Sequence, residues 1–173
     1  MDTVWIWDAA RDGQGPWELV SDQVMGGVSD GTLTLEEVAG RTALRMTGQV
    51  SLENDGGFLQ VARDIGPATG FAGIAVTVLG TGPDYNLHLR TAILQRPWQS
   101  FRASFATGGG WDDLVIPFDT LTPHRTDRDF DASDLCRLGL VAIGREFHAD
   151  LSLARLGFTR AAPDTLGSAP SAR

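Results

Sequence analysis

The feature that most constrains the fold is a hydrophobic period of two, which recurs along most of the chain. Apolar and polar residues alternate in short runs, and such alternation places the apolar residues on one face of a β-strand. The runs lie at residues 33–35, 44–46, 74–78, 85–89, 101–105, 114–118, 138–143 and 151–158. No window shows the 3.6-residue period of a helix of three turns, so the pattern predicts about ten short strands.

Turn residues separate these runs and indicate the fold class. The chain contains 21 Gly and 8 Pro, and most of them lie between the predicted strands, where turns need them. Short strands with regular turns are typical of a β-sandwich or barrel. We therefore predict an all-β domain over residues 1–160, with a charged loop at residues 123–134. The segment 161–173 has too few apolar residues to pack and is predicted to be a flexible tail.

Charge and hydropathy exclude several classes of function. The chain has 22 acidic and 14 basic residues, a formal net charge of −8, and every basic residue is Arg. An acidic chain is a poor partner for nucleic acid or an anionic membrane. No run approaches the roughly 20 apolar residues of a membrane span, and the N-terminus lacks the pattern of a secretory signal. We therefore expect a cytoplasmic protein with no nucleic-acid partner and no membrane span.

The sequence holds one weak pattern for nucleophilic catalysis. Residues 27–31 match the G-x-S-x-G pattern of hydrolases, in which the serine needs a strand-to-helix turn. Here the pattern precedes a predicted strand, so Ser29 is expected to bond nearby backbone groups instead. A hydrolase that uses Ser29 is the alternative, and we predict no catalytic residues.

Metal and cofactor motifs are also weak. Asp127, Asp129 and Asp131 are spaced like the first ligands of a calcium loop, but Ala132 and Leu138 stand where that loop needs Gly and Glu. A looser calcium site and a solvated loop both remain open for residues 127–134. The single cysteine and three scattered histidines do not form a zinc motif. We predict no metal and no cofactor.

Two neighbouring predicted strands place polar side chains on one sheet face. Asn86, His88 and Arg90 share a face by parity, and so do Trp98 and Arg102 on the strand that follows a short connection. These five residues are the candidate binding face. An aromatic ring beside planar hydrogen-bonding groups suits a sugar ring or a peptide. The alternative is the ordinary wet face of an antiparallel sheet.

Two loops share a Gly-Gly pair and polar side chains that can bond backbone groups. They span residues 21–31 and 53–58. Their candidate residues are Asp22, Met25, Gly26, Gly27 and Ser29 in the first loop, and Asn54, Gly56, Gly57 and Phe58 in the second. Both loops either close one end of the core or form a docking rim for a partner.

The chain resembles the complex I intermediate-associated protein 30 kDa domain family. The resemblance rests first on residues 21–29, which read S-D-Q-V-M-G-G-V-S, and on residues 53–58, which read E-N-D-G-G-F. It continues through residues 85–90, the run from Trp98 to Phe105, the segment from Trp111 to Pro123, and residues 138–140 with Phe147. The matched segments together span residues 5–158, which is nearly the whole predicted domain.

The resemblance implies a jelly-roll β-sandwich of the galactose-binding-like type and no known catalytic activity. Mitochondrial members of the family act as assembly factors for respiratory NADH:ubiquinone oxidoreductase (complex I). This chain departs from their pattern at Phe101, where many members carry Tyr, and it lacks a transit-like presequence, which suggests a bacterial-type member. We therefore expect a non-catalytic binding module whose partners are protein subunits or assembly intermediates. The alternative is a module that binds a carbohydrate or another small polar ligand.

Overall fold

A computed structural model describes residues 2–82 and 84–160 of the chain. The tail predicted at residues 161–173 lies outside the described residues. In chain order the strands are β1 (Thr3–Asp8), β2 (Glu18–Ser21), β3 (Asp30–Val38), β4 (Arg41–Val50), β5 (Phe58–Asp64), β6 (Gly73–Thr81), β7 (Tyr85–Thr91), β8 (Ser100–Phe105), β9 (Asp112–Pro117), β10 (Thr122–His124), β11 (Leu135–Ile143) and β12 (Phe147–Thr159). A short α-helix, α1 (Ala9–Asp12), follows β1. None of the helices in this part of the chain is long and apolar enough to cross a membrane.

The strands form two antiparallel sheets. The first sheet has the order β3-β4-β12-β6-β9, and β1 pairs with the C-terminal half of β12. The second sheet has the order β10-β8-β7-β11-β5-β2. Because neighbours in each sheet are mostly distant in sequence, the chain passes repeatedly from one sheet to the other. The predicted all-β sandwich is confirmed.

The core fills the space between the two sheets. Its members are apolar side chains from the inward faces of both, and the alternation described above placed many of them there. Ile74, Val76 and Val78 are fully buried on β6. Two large rings fill the region beside α1, where Trp7 and Trp17 meet edge-on with ring centroids 5.5 Å apart. Such aromatic pairs contribute roughly 0.5–1.5 kcal/mol beyond the area they bury.

The structure corrects two predicted boundaries. The first residues of the predicted charged loop, Pro123 and His124, belong to strand β10, which pairs with β8. That strand has three residues, too few to show an alternating period. Phe118 was expected to end a strand but begins a 3-10 turn after Pro117, which ends β9.

Candidate binding cleft

The outer face of the second sheet carries the candidate residues. His88 on β7 lies directly opposite Arg102 on β8 and opposite Gly139 on β11. Two residues away along β7, Asn86 lies opposite Ser104 on β8. Since the side-chain period of a strand is two, these residues all point away from the core.

The middle of this outer face is apolar and poorly accessible to solvent. Val141 on β11 is 1 % exposed although it points away from the core, and Ala62 on β5 is equally buried. The amide of Gln60 lies so close to Gly139 that a Cβ there would collide with it. The face is therefore a cleft whose floor contains an apolar patch at Val141 and Ala62, rather than a flat polar surface.

Loops at opposite ends of the sheet form the walls of the cleft. At the end where β11 finishes, Val24 belongs to the first Gly-Gly loop and Leu52 directly precedes the second. Trp98 belongs to the β7–β8 connection at the other end. The cleft has a volume of about 1140 Å³. Its lining consists of Val20, Val24, Leu52, Gly56, Gly57, Phe58, Gln60, His88, Arg90, Gln95, Pro97, Trp98, Ser100, Arg102, His124, Arg125, Arg137, Leu138, Gly139, Val141, Ile143 and Gly144.

A buried carboxylate joins the two Gly-Gly loops. Asp22 is fully buried and accepts hydrogen bonds from the backbone N–H of Ser29 (2.9 Å), Gly57 (2.5 Å) and Phe58 (3.1 Å). Its Oδ2 atom also accepts a bond from the Ser29 hydroxyl. Burial disfavours the charged form, but the bonds from Ser29, Gly57 and Phe58 outweigh it and hold the pKa of Asp22 below its usual range.

The glycines of both loops make room for this carboxylate. A Cβ on Gly27 would stand 2.5 Å from Asp22 Cγ, and a Cβ on Gly56 would stand 2.5 Å from Asp22 Oδ2. Gly26 ends the 3-10 turn at residues 22–25 in the left-handed region, with φ 88°. Asn54 is also left-handed, with φ 58°. The motif residues therefore form a structural junction, which positions Val24 and Leu52 on the cleft wall.

Ser29 takes part in this junction. Its hydroxyl bonds Asp22 and the backbone of Ser51, and the side chain is fully buried. A serine nucleophile needs a base beside it and access to a substrate. None of the hydrogen bonds that Ser29 makes in the described part of the chain involves a histidine.

The β7–β8 connection presents an exposed indole. Trp98 is 52 % exposed and lies on this connection, before strand β8 begins at Ser100. Arg90 holds the connection in place, since its Nη1 donates to the carbonyls of Arg96 (2.6 Å) and Gln99 (2.5 Å). Arg90 therefore acts mainly as a support for the loop that carries Trp98.

The cleft floor carries basic side chains, although the chain as a whole is acidic. Burial, the Arg102 charge and His124 together lower the pKa of His88 to about 3, so His88 is neutral near pH 7. Burial and the charge of Arg125 likewise lower the pKa of Arg102. The His88 Nε2 atom is buried and has no hydrogen-bond partner among residues 2–82 and 84–160.

The structure brings four of the five candidate face residues into one cleft. His88, Arg90, Trp98 and Arg102 all line it. Asn86 is on the same sheet face but lines a neighbouring hollow of about 540 Å³ instead. Within the described ranges, no group of three or more His, Cys, Asp or Glu residues is arranged to hold a metal ion.

Sequence reasoning missed several cleft residues. His124 was grouped with the scattered histidines, yet β10 brings it beside Ser100 on the face that carries Arg102. Val141 and Ile143 were assigned to an apolar run with no further role. A strand that is apolar on both faces is the signal that its outer face is also covered.

A family model described as Complex I intermediate-associated protein 30 (CIA30) matches residues 8–154. This match agrees with the motifs at residues 21–29 and 53–58, and both loops lie within the matched range. No curated protein matches the chain significantly.

Solved structures of carbohydrate-binding modules share the fold. The family 11 module of a cellulosomal cellulase of Clostridium thermocellum superposes with a TM-score of 0.74 at 10% identity, over 93% of this chain and 96% of that one. The same type of module in complex with a β-1,3-1,4-mixed-linked tetrasaccharide gives 0.72 at 10% identity, over 92% and 96%. A family 30 module from a C. thermocellum cellulase gives 0.64 at 14% identity, over 92% and 98%. These likenesses confirm the predicted jelly-roll sandwich, and at such identities they establish fold alone.

Proposed function

Because the chain belongs to the Complex I intermediate-associated protein 30 family, we propose that it is a non-catalytic binding module that assists the assembly of respiratory NADH:ubiquinone oxidoreductase. In this proposal it holds a protein subunit or an assembly intermediate in the cleft of the second sheet. The observation that carries the proposal is the cleft itself, with an apolar patch on its floor, an exposed rim and a volume of about 1140 Å³.

The rim has the composition of a protein contact surface. Three apolar side chains are exposed around the cleft: Val24 (74 %), Leu52 (47 %) and Trp98 (52 %). Aromatic residues and Arg are enriched where proteins bind each other, and Trp is frequent among the residues that contribute most to affinity. The rigid junction at Asp22 limits the ordering cost of binding, because the loop that carries Val24 is already held in place.

Two linked experiments test the assembly role. In the organism that carries this chain, the tagged wild-type protein should co-purify with subunits of complex I, and deletion of its gene should reduce the amount of assembled complex. A Trp98→Ala variant should restore assembly poorly. A Val115→Ala variant is the matched control, because Val115 is 41 % exposed but lies on β9 of the other sheet. Normal assembly in the deletion strain would contradict the proposal.

One observation favours a second candidate, a sugar-binding module. The exposed indole of Trp98 lines the same cleft as the hydrogen-bonding groups of His88 and Arg102, and a flat ring together with polar groups suits a sugar ring. The shared fold with carbohydrate-binding modules supports the same idea. A panel of oligosaccharides in a thermal-shift assay tests it, since a ligand at a hundredfold excess over its Kd adds about 2.7 kcal/mol of stability. A panel without any shift would exclude this candidate.

A further inference from the structure

Among the side chains that the structure describes, none of those lining the cleft is acidic, although the whole chain has a net charge of −8. Four arginines and two histidines contribute to the lining. Two of these arginines are already occupied, since Arg137 pairs with Glu18 and Asp64, while Arg90 donates to carbonyl groups. The other two arginines and both histidines lie at one corner of the cleft, which is formed by strands β7, β8 and β10.

This corner combines Arg102, His88, His124 and Arg125. Arg102 lies directly opposite His88 on one side and opposite Thr122 of β10 on the other, which places His124 one diagonal step away. Arg102 donates its Nε hydrogen to Ser100 at 2.8 Å. Among the described residues no carboxylate lies within 4.0 Å of the Arg102 or Arg125 guanidinium. We call these four residues the cationic corner.

Without a bound anion, the cationic corner destabilises the folded state. The nearby positive charge of Arg125 repels that of Arg102, and a half-buried guanidinium without a counter-ion loses hydration. The unpartnered and buried Nε2 of His88 adds an unsatisfied polar atom at the same place. All three costs are removed when an anionic oxygen group binds between Arg102 and His88.

We propose that the cationic corner binds a carboxylate of an acidic peptide segment, which a protein partner inserts into the cleft. Arg102 presents a planar guanidinium that suits a carboxylate. The Nε2 atom of His88 can donate one further hydrogen bond when it carries the proton. The apolar rim formed by Val24, Leu52 and Trp98 would then contact the apolar neighbours of the acidic residue. This inference rests on the proposed function and specifies the chemistry of the partner.

The carboxylate site is tested first with a simple anion. Acetate added at constant ionic strength, with chloride as the balancing salt, should shift the imidazole NMR signals of His88 and His124 in a saturable way. The same signals should not saturate with chloride alone. Bound acetate should also raise the pKa of His124, because a negative charge favours the protonated imidazole. Imidazole signals that do not respond to acetate would overturn the proposal.

Matched variants distinguish binding at the cationic corner from an effect of the protein's net charge. Arg102→Ala should abolish the acetate response, while Arg11→Ala should leave it unchanged, since both variants remove one positive charge. Arg11 is an exposed partner of Asp12 on α1 and does not line the cleft. An equal loss in both variants would overturn a local site. Thermal unfolding of Arg102→Ala checks that the variant is folded, and we expect it to be at least as stable as the wild type because a half-buried, unpaired charge is gone.

The source of the carboxylate is tested with two further probes. An acetylated Leu-Glu-Leu-Glu-Leu amide should bind at least about tenfold more tightly than its Leu-Gln-Leu-Gln-Leu counterpart, and binding should weaken with salt. Glucuronate should bind no more tightly than acetate. Preference for glucuronate over the acidic peptide would overturn the peptide assignment.

The two proposals fail in different ways. If complex I subunits are captured through the cleft but capture is unaffected by Arg102→Ala, the carboxylate site is wrong and the assembly role stands. If the acidic peptide binds in an Arg102-dependent way but no complex I subunit is captured, the carboxylate site stands and the assembly role is wrong.

Discussion

The junction at Asp22 leads to the most detailed prediction. Asp22→Asn keeps the size of the side chain but replaces one carboxylate oxygen by an NH₂ group. Oδ2 accepts bonds from the Ser29 hydroxyl, Gly57 and Phe58, whereas Oδ1 accepts only the Ser29 N–H. The least costly arrangement therefore places the amide oxygen at the Oδ2 position. Its NH₂ group then faces the Ser29 N–H, so two buried donors lack acceptors.

The expected loss of stability follows from these contacts. Each buried donor left unsatisfied costs about 1–3 kcal/mol, and the bonds that remain lose the strengthening effect of the charge. We expect a decrease of about 3 kcal/mol in the free energy of unfolding. For a domain of this size, that corresponds to a decrease of about 6–12 °C in Tm. The full difference in unfolding free energy between the two proteins should be present above about pH 5, where an aspartate with an ordinary pKa is ionised.

Thermal unfolding followed by circular dichroism measures the effect. The lowered pKa of Asp22 means that its charge stabilises the fold above the ordinary pKa and that this contribution disappears as the pH falls through the folded-state pKa. The difference in Tm between the two proteins should therefore shrink at low pH. The matched control is Asp131→Asn, because Asp131 is an exposed N-cap and Asn caps equally well. A Tm for Asp22→Asn within 2 °C of the wild type at pH 7, a limit of roughly 1 kcal/mol, would refute the reasoning.

Three further predictions concern the same domain. Gly27→Ala should lower Tm strongly in thermal unfolding, because its Cβ would meet Asp22, whereas Gly110→Ala has open space and should melt close to the wild type. Tyr85→Phe should lower the free energy of urea unfolding by about 1–3 kcal/mol, because the buried hydroxyl that bonds the backbone of Asp150 is lost. Trp98→Ala should leave Tm nearly unchanged while it weakens partner capture, since the indole is half exposed.

The sequence predicted the sheet faces well because parity is a local property. Residues 86, 88 and 90 alternate within one strand, so their common face follows from backbone geometry alone. The adjacency of the strands that carry His88 and Arg102 followed from their short connection, since such connections favour neighbours in a sheet; the direct pairing of the two residues is seen in the structure. Trp98 lies before β8 begins, and parity does not apply to a loop residue.

Contacts between residues distant in sequence cannot be predicted from local sequence patterns. The role of Asp22 depends on Gly57 and Phe58, which are 35 and 36 residues away. Nothing in either loop alone indicates that one carboxylate joins them. His124 reaches the cleft on a strand of three residues, which shows no period. The cleft is therefore a product of topology, whereas His88 and Arg102 could be found from parity within their strands.

The central claim is that the cleft of the second sheet is the contact surface for a protein partner. Site-specific photo-crosslinking in living cells tests it most directly, with a benzophenone amino acid in place of Trp98 and, separately, in place of Val115 on the other sheet. We predict crosslinks to subunits of complex I from the position of Trp98 and none from that of Val115. Crosslinks to those subunits from the Val115 position alone would contradict the claim.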